Sequence, residues 1–206
     1  MSVAEPLTLA VLVSGNGSNL QAIIDRIEAG EIHARIACVI SNVHGVFALE
    51  RARRHGIPTV IHANGAFATR REYDNALVEV LRTHRVELVV LAGFMRILSD
   101  VMIGAFPGAV INIHPALLPA FPGLHAQKQA LEYGVKFSGC TVHFVDNGTD
   151  TGPIILQAVV PVMQDDSEES LSRRILQEEH RIFPESIRLF AEGKLSFHGR
   201  QVRISS

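Results

Sequence analysis

The sequence predicts an α/β protein with a Rossmann-like, mostly parallel sheet, helices on both faces and an antiparallel C-terminal extension. Three observations support this fold class. Short apolar runs alternate with segments of helical periodicity through the first half of the chain. A glycine-rich turn follows the first apolar run. In the last third, two adjacent strand patterns and then a long helical pattern replace the alternation.

The N-terminal half contains five predicted strands, each a short run that is apolar on both faces. They lie at 8–14, 36–41, 59–62, 87–93 and 108–114. Because such strands are buried on both sides and are separated by helix-forming segments, we expect them to pair in parallel through βαβ units.

Helices are predicted between several of those strands. The first begins at a capping box, in which the side chains of Ser18 and Gln21 satisfy backbone N–H groups, and Gly30 ends it. The second covers 46–55 and is rich in arginine on one face. The third covers 70–84 and has apolar residues at helical spacing.

After a proline-rich stretch, the pattern changes to that of the antiparallel extension. A short helix is predicted at 125–133. Strands at 141–145 and 154–160 follow, joined by DNGTDTGP, whose Gly and Asp content is typical of a tight loop. The sequence LSFHGRQVRI closes the chain as a hairpin around His198 and Gly199.

A long helix is predicted just before that hairpin. It begins near Asp166, where Glu169 completes a capping box. Pro184 lacks the backbone N–H that an interior helical residue donates, so it is expected to kink or restart the helix. Gly193 is expected to end it.

The composition is typical of a globular domain with a large core, since 47% of the 206 residues are hydrophobic and 19% are charged. We interpret residues 1–206 as one domain, with an N-terminal half at about 8–107 and a C-terminal half at about 108–206, because no linker or repeat interrupts the pattern. The net charge of −2 argues against a nucleic-acid partner. No apolar run is long enough to span a membrane.

The expected location is the cytoplasm. The N-terminal sequence MSVAEPLTLA lacks the basic region of a signal peptide. The two cysteines, Cys38 and Cys140, have no C-x-x-C spacing and fall in predicted strands, so we expect buried, reduced thiols.

The glycine loop SGNGSNLQ, at 14–21, joins the first strand to the first helix. Gly15 and Gly17 permit close backbone approach, and the helix start presents N–H groups that suit a phosphate. NAD is disfavoured because Leu20 replaces the third glycine of G-x-G-x-x-G and because no acid ends the second strand. ATP is disfavoured because no GK[ST] follows. A phosphomonoester site and a turn without a ligand remain equally open on this loop alone.

The stretch INIHPALLPAFPG, at 111–123, carries the second polar signal. Asn112 and His114 are two residues apart in a strand, so they share a face at its carboxyl end, where open α/β sheets bind ligands. An amide and an imidazolium are both hydrogen-bond donors that stabilise an oxygen gaining negative charge. The alternative is a pair of hydrogen-bonded core residues. The bond between Leu118 and Pro119 is a candidate cis peptide.

A carboxylate beside His114 would favour the protonated imidazole and raise its pKa. The loop DNGTDTGP offers two candidates, Asp146 and Asp150, and spacing does not separate them. Either one is also typical of a residue that caps a turn.

Other chemistries lack their signatures. No G-x-S-x-G elbow is present, so a covalent acyl-enzyme is not expected. The ten histidines form no zinc-binding spacing, so no metal is predicted. Four scattered histidines are interpreted as surface or satisfied core residues: His62, His84, His143 and His180. The residues therefore predict attack on a carbonyl carbon by an external nucleophile.

Five motifs then identify a family resemblance. They are VLVSGNGSNLQAIID, VVLAGFMRILS, INIHPALLPAFPGLHA, GCTVHFVD followed by DTGPIILQ, and QEEHRIFP. In this order and spacing, from about residue 8 to about residue 198, they resemble the phosphoribosylglycinamide formyltransferase family, the folate-dependent formyltransferases of purine synthesis. The resemblance implies the formyltransferase version of the Rossmann-like fold.

The resemblance also implies site residues. The catalytic trio would be Asn112, His114 and Asp150. The phosphate and ribose of glycinamide ribonucleotide would be held by Gly17, Ser18, Asn19 and Glu179. The formyl donor, 10-formyltetrahydrofolate, would contact Arg70, Met95, Arg96, Ile97, Leu98 and Asn112, with the pterin held partly by main-chain groups and the benzoylglutamate tail by Arg70. No metal, NAD, ATP, nucleic acid or membrane is implied, and the protein would be a monomer or homodimer.

One departure from the family pattern is visible. The family often has a second histidine two residues after the histidine of PGLH, whereas here His125 is followed by Ala126 and Gln127. We therefore do not expect this chain to show a pH response that depends on that second histidine.

Three alternatives share parts of this pattern. A methionyl-tRNA formyltransferase would resemble a longer chain with a nucleic-acid-binding domain. A formyltetrahydrofolate deformylase would use the same trio, with water as the acceptor, and is expected to carry an N-terminal regulatory domain. A folate- or nucleotide-binding module without activity would not need the intact trio.

Overall fold

The computed structural model describes residues 5–205 and has nine strands within them. The strands are β1 (Leu7–Val13), β2 (Ala34–Ser41), β3 (Thr59–Ile61), β4 (Leu88–Leu91), β5 (Val110–His114), β6 (Phe137–Phe144), β7 (Ile154–Pro161), β8 (Leu195–His198) and β9 (Gln201–Ile204). The helices are α1 (Ser18–Glu28), α2 (Phe47–Arg54), α3 (Arg70–Thr83), α4 (Asp100–Ala105), α5 (Ala126–Tyr133) and α6 (Glu168–Ala191). A 3-10 turn covers Asn64–Ala66.

Seven strands form one sheet in the order β3-β2-β1-β4-β5-β6-β7. The β1 strand pairs in parallel with β2 and with β4, and β2 pairs in parallel with β3. The β7 strand is antiparallel to β6, and β8 and β9 form a separate antiparallel hairpin. The predicted fold class, a mostly parallel sheet with an antiparallel C-terminal extension, is confirmed.

The chain divides into two compact units, Met1–Ile111 and Asn112–Ser206. In the first unit, β1 and β4 lie in the middle of the sheet order, and their side chains are almost entirely buried. In the second unit, α6 buries one face that includes Leu171, Ile175 and Phe183. The division falls close to the predicted boundary between the two halves, and the interpretation as one domain stays a prediction.

The predicted capping box at the start of α1 is wrong. Gly17 is the N-cap, with φ of 76° in the left-handed region, and no side chain caps the helix. The Gln21 amide instead donates to Asp25 Oδ1 at 2.8 Å and lies 3.0 Å from the His55 ring. The glycine enters the helix directly, so the first turn has backbone N–H groups without a capping side chain.

Two details of α6 also differ from the prediction. Its capping box is formed by Ser167 and Ser170. Asp166 does not cap the helix, because its carboxylate forms an ion pair with Arg174 at 2.8 Å. The helix continues through Pro184 to Ala191. Pro184 lies on the buried face, and the packing of that face outweighs the loss of one helical hydrogen bond.

The sequence pattern does not predict two short elements or the start of β6. The α4 helix and the 3-10 turn are short and have few apolar residues at helical spacing, so periodicity does not reveal them. The β6 strand begins at Phe137 rather than at residue 141 because its pairing with β7 extends as far as Pro161. The peptide bond between Leu118 and Pro119 is cis, as predicted. No helix within residues 5–205 is long and apolar enough to cross a membrane.

Candidate active site

Backbone contacts in the first unit hold the glycine loop between β1 and α1. The Ser14 N–H donates to the Gly93 carbonyl at 3.0 Å, which ties this loop to the segment after β4. On its other side, the Gly15 carbonyl accepts from the Ala48 N–H at 3.1 Å. The loop therefore has one conformation fixed by both of its neighbours.

Arg51 on α2 supports the same loop through Asn16. Its Nε donates to the Asn16 carbonyl at 3.0 Å, and its second terminal nitrogen donates to Asn16 Oδ1 at 3.0 Å. The guanidinium also lies over the Phe47 ring, 4.6 Å from its centroid. A fixed positive charge beside a helix N-terminus reinforces the preference of that N-terminus for an anion.

Gly17 is required for this arrangement. Its φ of 76° is strained for any other residue, and an ideal Cβ built on it lies 2.5 Å from the Ala48 Cβ. Ser18 and Asn19 follow as the first two residues of α1, and both are partly buried. The predicted phosphate-binding residues are thus consecutive at a helix start that is packed against α2.

We expect Gly17→Ala to lower the free energy of unfolding by about 2–4 kcal/mol, from backbone strain and overpacking together. Gly30→Ala is the matched control, because Gly30 has a φ of 72° and an added Cβ meets nothing within 4 Å. It should cost about 1–2 kcal/mol, from strain alone. Urea unfolding of both variants measures the difference, and equal losses would show that contact with Ala48 is unimportant.

The segment after β4 contains the residues predicted to bind the formyl folate. Met95 and Ile97 are 64% and 53% exposed, whereas Leu98 is buried. The Arg96 guanidinium lies over the Tyr73 ring, 4.0 Å from its centroid. Arg70 is exposed at the first turn of α3. Met95 and Ile97 therefore have side chains free to contact a ligand, while Arg96 and Leu98 anchor the segment.

The second unit holds a buried polar cluster at the carboxyl end of β5. His114 is 4% exposed, and its Nδ1 lies 3.3 Å from Asp150 Oδ2. Its Nε2 donates to the Phe121 carbonyl at 2.8 Å. Both ring nitrogens thus face hydrogen-bond acceptors.

Asp150 is the carboxylate that pairs with His114. It has a left-handed φ of 54°, and its Oδ2 accepts from the Gly123 N–H at 2.8 Å. Asp146 Oδ1 instead accepts from the Gly148 N–H and the Thr151 hydroxyl, at 3.0 and 2.6 Å, so it caps the turn. The structure therefore separates two candidates that spacing left open.

His143 belongs to the same cluster, and sequence reasoning missed it. The ring is 2% exposed, and its Nδ1 donates to the Phe144 carbonyl at 2.8 Å. In the neutral ring its Nε2 then accepts from the Asn112 amide at 3.2 Å, and it lies 3.6 Å from Asp150 Oδ1. The available signal was weak, because a single histidine in a buried strand is as typical of a hydrogen-bonded core residue as of a functional site.

The pKa values in this cluster reflect burial and charge together. Burial lowers the pKa of His114 below its ordinary value, against the opposing effects of the Asp150 carboxylate and the Phe121 carbonyl. The expectation of a raised pKa is therefore wrong in the free protein, because desolvation outweighs the nearby charge. Burial would raise the pKa of Asp150, but its contacts with His143, the Gly123 N–H and His114 outweigh this and lower it.

Chemically, this cluster supplies donors rather than a nucleophile. A primary amide has two N–H bonds, so Asn112 keeps one for a ligand while the other is given to His143. Within residues 5–205, no group of three His, Cys, Asp or Glu side chains is arranged to hold a metal ion. Glu179 is also in the second unit, where it is buried on α6, and its charge adds to burial in raising the pKa of Cys140 to about 12.

Comparisons with known proteins agree on one family. The profile of a family described as formyl transferase matches residues 7–187. The chain is 47% identical over 192 residues to phosphoribosylglycinamide formyltransferase of Escherichia coli (strain K12), covering 93% of this chain and 91% of that protein. It is 53% identical over 187 residues to the trifunctional purine biosynthetic protein adenosine-3 of Drosophila melanogaster, of which it spans only 14%.

Solved structures give the same result. Glycinamide ribonucleotide transformylase 1 from Symbiobacterium toebii superimposes with a TM-score of 0.97 at 54% identity, covering 99% of this chain and 96% of that chain. A formyltetrahydrofolate deformylase from Pseudomonas syringae pv. tomato superimposes with a TM-score of 0.91 at 28% identity, and the match covers 67% of that longer chain. Its fold is therefore shared, at a much lower identity.

Proposed function

This chain belongs to the formyl transferase family, and from that premise we propose that it transfers a formyl group from 10-formyltetrahydrofolate to the amine of 5'-phosphoribosylglycinamide, in de novo purine biosynthesis. The observation that carries the proposal is the buried cluster of Asn112, His114 and Asp150. It supplies donors for an oxyanion and offers no nucleophile of its own, as direct transfer between two substrates requires.

In this mechanism the substrate amine attacks the formyl carbon, and negative charge develops on the formyl oxygen. Asn112 donates its second N–H to that oxygen. Burial disfavours a charged His114 ring at rest. As negative charge develops, the ring takes up the proton that the attacking amine releases, and both nitrogens of the imidazolium then donate, one to the Phe121 carbonyl and one to Asp150. Asp150 stabilises that imidazolium and orients a water that carries the amine proton to the departing folate nitrogen.

The nucleotide half of the proposal rests on the glycine loop. Gly17, Ser18 and Asn19 would hold the phosphate at the start of α1, where the N-cap residue is a glycine and so has no side chain of its own. The nearby Arg51 charge supports an anion there. Glu179 would accept hydrogen bonds from the ribose hydroxyls.

The folate half rests on the segment after β4. The exposed Met95 and Ile97 side chains would contact the flat ring system of the donor, because ligand pockets are lined mainly by apolar side chains. Main-chain groups from Met95 to Leu98 would take the polar edge of the pterin. Arg70, at the start of α3, would pair with the glutamate carboxylates of the donor.

Turnover with and without the nucleotide tests this function. The formyl group of 10-formyltetrahydrofolate should be lost, as followed by absorbance, only when glycinamide ribonucleotide is present. The dephosphorylated nucleoside should serve with a much higher KM, since the glycine loop would lose its anion. Equal turnover without nucleotide would instead indicate a deformylase, and no turnover in either case would indicate a binding module.

The two thiols support a reducing cellular setting. Cys38 and Cys140 are free and buried, and burial raises their pKa to about 11 and about 12, so neither is reactive. Two unpaired thiols suit the reducing cytoplasm, where we place the reaction. The protein would act there as a monomer or homodimer, which light scattering of the purified chain would distinguish.

A further inference from the structure

The proposed folate segment is held at its C-terminal end by a buried carboxylate on α3. Asp74 is fully buried, and its Oδ2 accepts from both the N–H and the hydroxyl of Ser99, at 2.5 and 2.6 Å. Ser99 directly follows Leu98 in the chain. One carboxylate oxygen therefore fixes the backbone and side chain of the residue that ends the segment.

The same segment is held at its N-terminal end by the glycine loop. The Ser14 hydroxyl accepts from the Met95 N–H at 2.8 Å and donates to Asn42 Oδ1 at 2.6 Å. Because its proton is committed to Asn42, the hydroxyl has one orientation, with a lone pair directed at Met95. The four residues from Met95 to Leu98 thus lie between two side-chain tethers.

The hydrogen bonds of Asp74 are directed at Ser99, which both follows Leu98 and is the N-cap of α4. A buried carboxylate is costly unless it is paired, and here its partners are a backbone N–H and a hydroxyl rather than a cation. Its other oxygen, Oδ1, is buried and has no hydrogen-bond partner among residues 5–205. An apolar residue would fill this position at lower cost, so the carboxylate is best explained by the geometry it imposes on Ser99.

The neighbouring residue on α3 makes a second contact with the segment. Tyr73, which precedes Asp74, is fully buried and carries the Arg96 guanidinium on its ring face at 4.0 Å. Such stacking is favourable for arginine and holds its planar group in one place. Tyr73 therefore orients Arg96 in the middle of the segment, and Asp74 orients Ser99 at its end.

We infer that Asp74 and Ser14 are positioning residues that preorganise the Met95–Leu98 segment for the formyl donor, and that Ser14 also links this segment to the nucleotide-binding loop. The inference rests on the proposed function in one respect, namely that this segment binds the folate. Preorganisation raises affinity because a backbone that is already ordered in the free protein loses little conformational entropy when the donor binds.

Steady-state kinetics separate the two tethers. Asp74→Ala should raise the KM for 10-formyltetrahydrofolate by about tenfold or more and leave the KM for the nucleotide nearly unchanged, because it releases only one end of the segment. Ser14→Ala should raise both KM values, since Ser14 belongs to the glycine loop. Asp74→Asn retains an acceptor oxygen and should restore most of the donor affinity.

Ser99→Ala gives the same test in a variant that keeps the backbone N–H bond to Asp74. It removes the hydroxyl bond alone, so its donor KM should lie between those of the native protein and Asp74→Ala. Asp100→Asn is the matched control, because it removes the charge of an exposed ion pair between Arg71 on α3 and the residue next to Ser99, and both KM values should stay unchanged.

Amide hydrogen exchange by NMR gives a readout that needs no substrate. Asp74→Ala should accelerate exchange of the Ser99 amide, and Ser14→Ala that of the Met95 amide, each by about tenfold, with little change elsewhere. If these amides exchange faster but the KM for the formyl donor does not change, the hydrogen bonds hold the segment as inferred, but the segment does not bind the folate. Unchanged exchange, or equal rises in both KM values for Asp74→Ala, would overturn the positioning role itself. A native protein without turnover would reject the proposed function while leaving the exchange result valid.

Discussion

Asn112→Ala and His114→Ala are each expected to lower kcat by a factor of about 10²–10³, with little change in nucleotide affinity. Asn112→Ala removes an N–H donor to the formyl oxygen, and His114→Ala removes the positive charge of an imidazolium that forms only while negative charge develops on that oxygen. An interaction made only in the transition state affects kcat and kcat/KM equally. Steady-state kinetics with both substrates, together with calorimetric binding of the nucleotide, provide the measurement.

A histidine outside the cluster supplies the control for that experiment. His198 is exposed in the β8–β9 hairpin, so His198→Ala should turn over at the native rate. Unfolding in urea would show whether the Asn112 and His114 variants remain folded at the assay temperature. Near-normal turnover in either of these two variants would remove it from the proposed catalytic cluster.

Asp150→Asn is expected to lower kcat by about 10²–10⁴-fold, because it removes the charge that stabilises the His114 imidazolium and the group that orients the proton-carrying water. The amide still fills the same space and keeps an oxygen for the Gly123 N–H. The loss should therefore come from charge and proton transfer rather than from collapse of the loop. Asp146→Asn is the matched control, since Asp146 only caps the neighbouring turn.

The pKa of His114, compared between the native protein and Asp150→Asn, tests the same pairing of His114 with Asp150. Burial already lowers its pKa below the ordinary 6.5, and the Asp150 carboxylate opposes that shift. Removing the carboxylate leaves burial less opposed, so the pKa of His114 should fall further in Asp150→Asn. Histidine ring signals followed by NMR between about pH 4 and pH 8 measure both values. A His114 pKa that rises or stays constant would contradict the assigned pairing.

Much of the site was readable from local pattern. Asn112 and His114 are predicted as a pair because strand residues two apart share a face, and the glycine loop is predicted to bind an anion because Gly17 precedes a helix; these roles stay predictions. His143 was missed because its contact with Asn112 joins two strands 31 positions apart in the chain, which local pattern does not show. The capping box at Ser18 was wrong because the local motif competes with close packing of Gly17 against Ala48.

The sequence by itself determined the fold class, the family and the residue types available for chemistry, since these depend on hydrophobic period, turn residues and motif order. Tertiary structure decided which carboxylate faces His114, and in which direction the pKa of His114 moves. It also showed that Ser14 and Asp74 bind the two ends of the Met95–Leu98 segment. Hydrogen bonds and desolvation act over a few ångströms in space, and the residues involved here are often tens of positions apart: Ser99 lies 25 positions from Asp74, and Met95 lies 81 from Ser14.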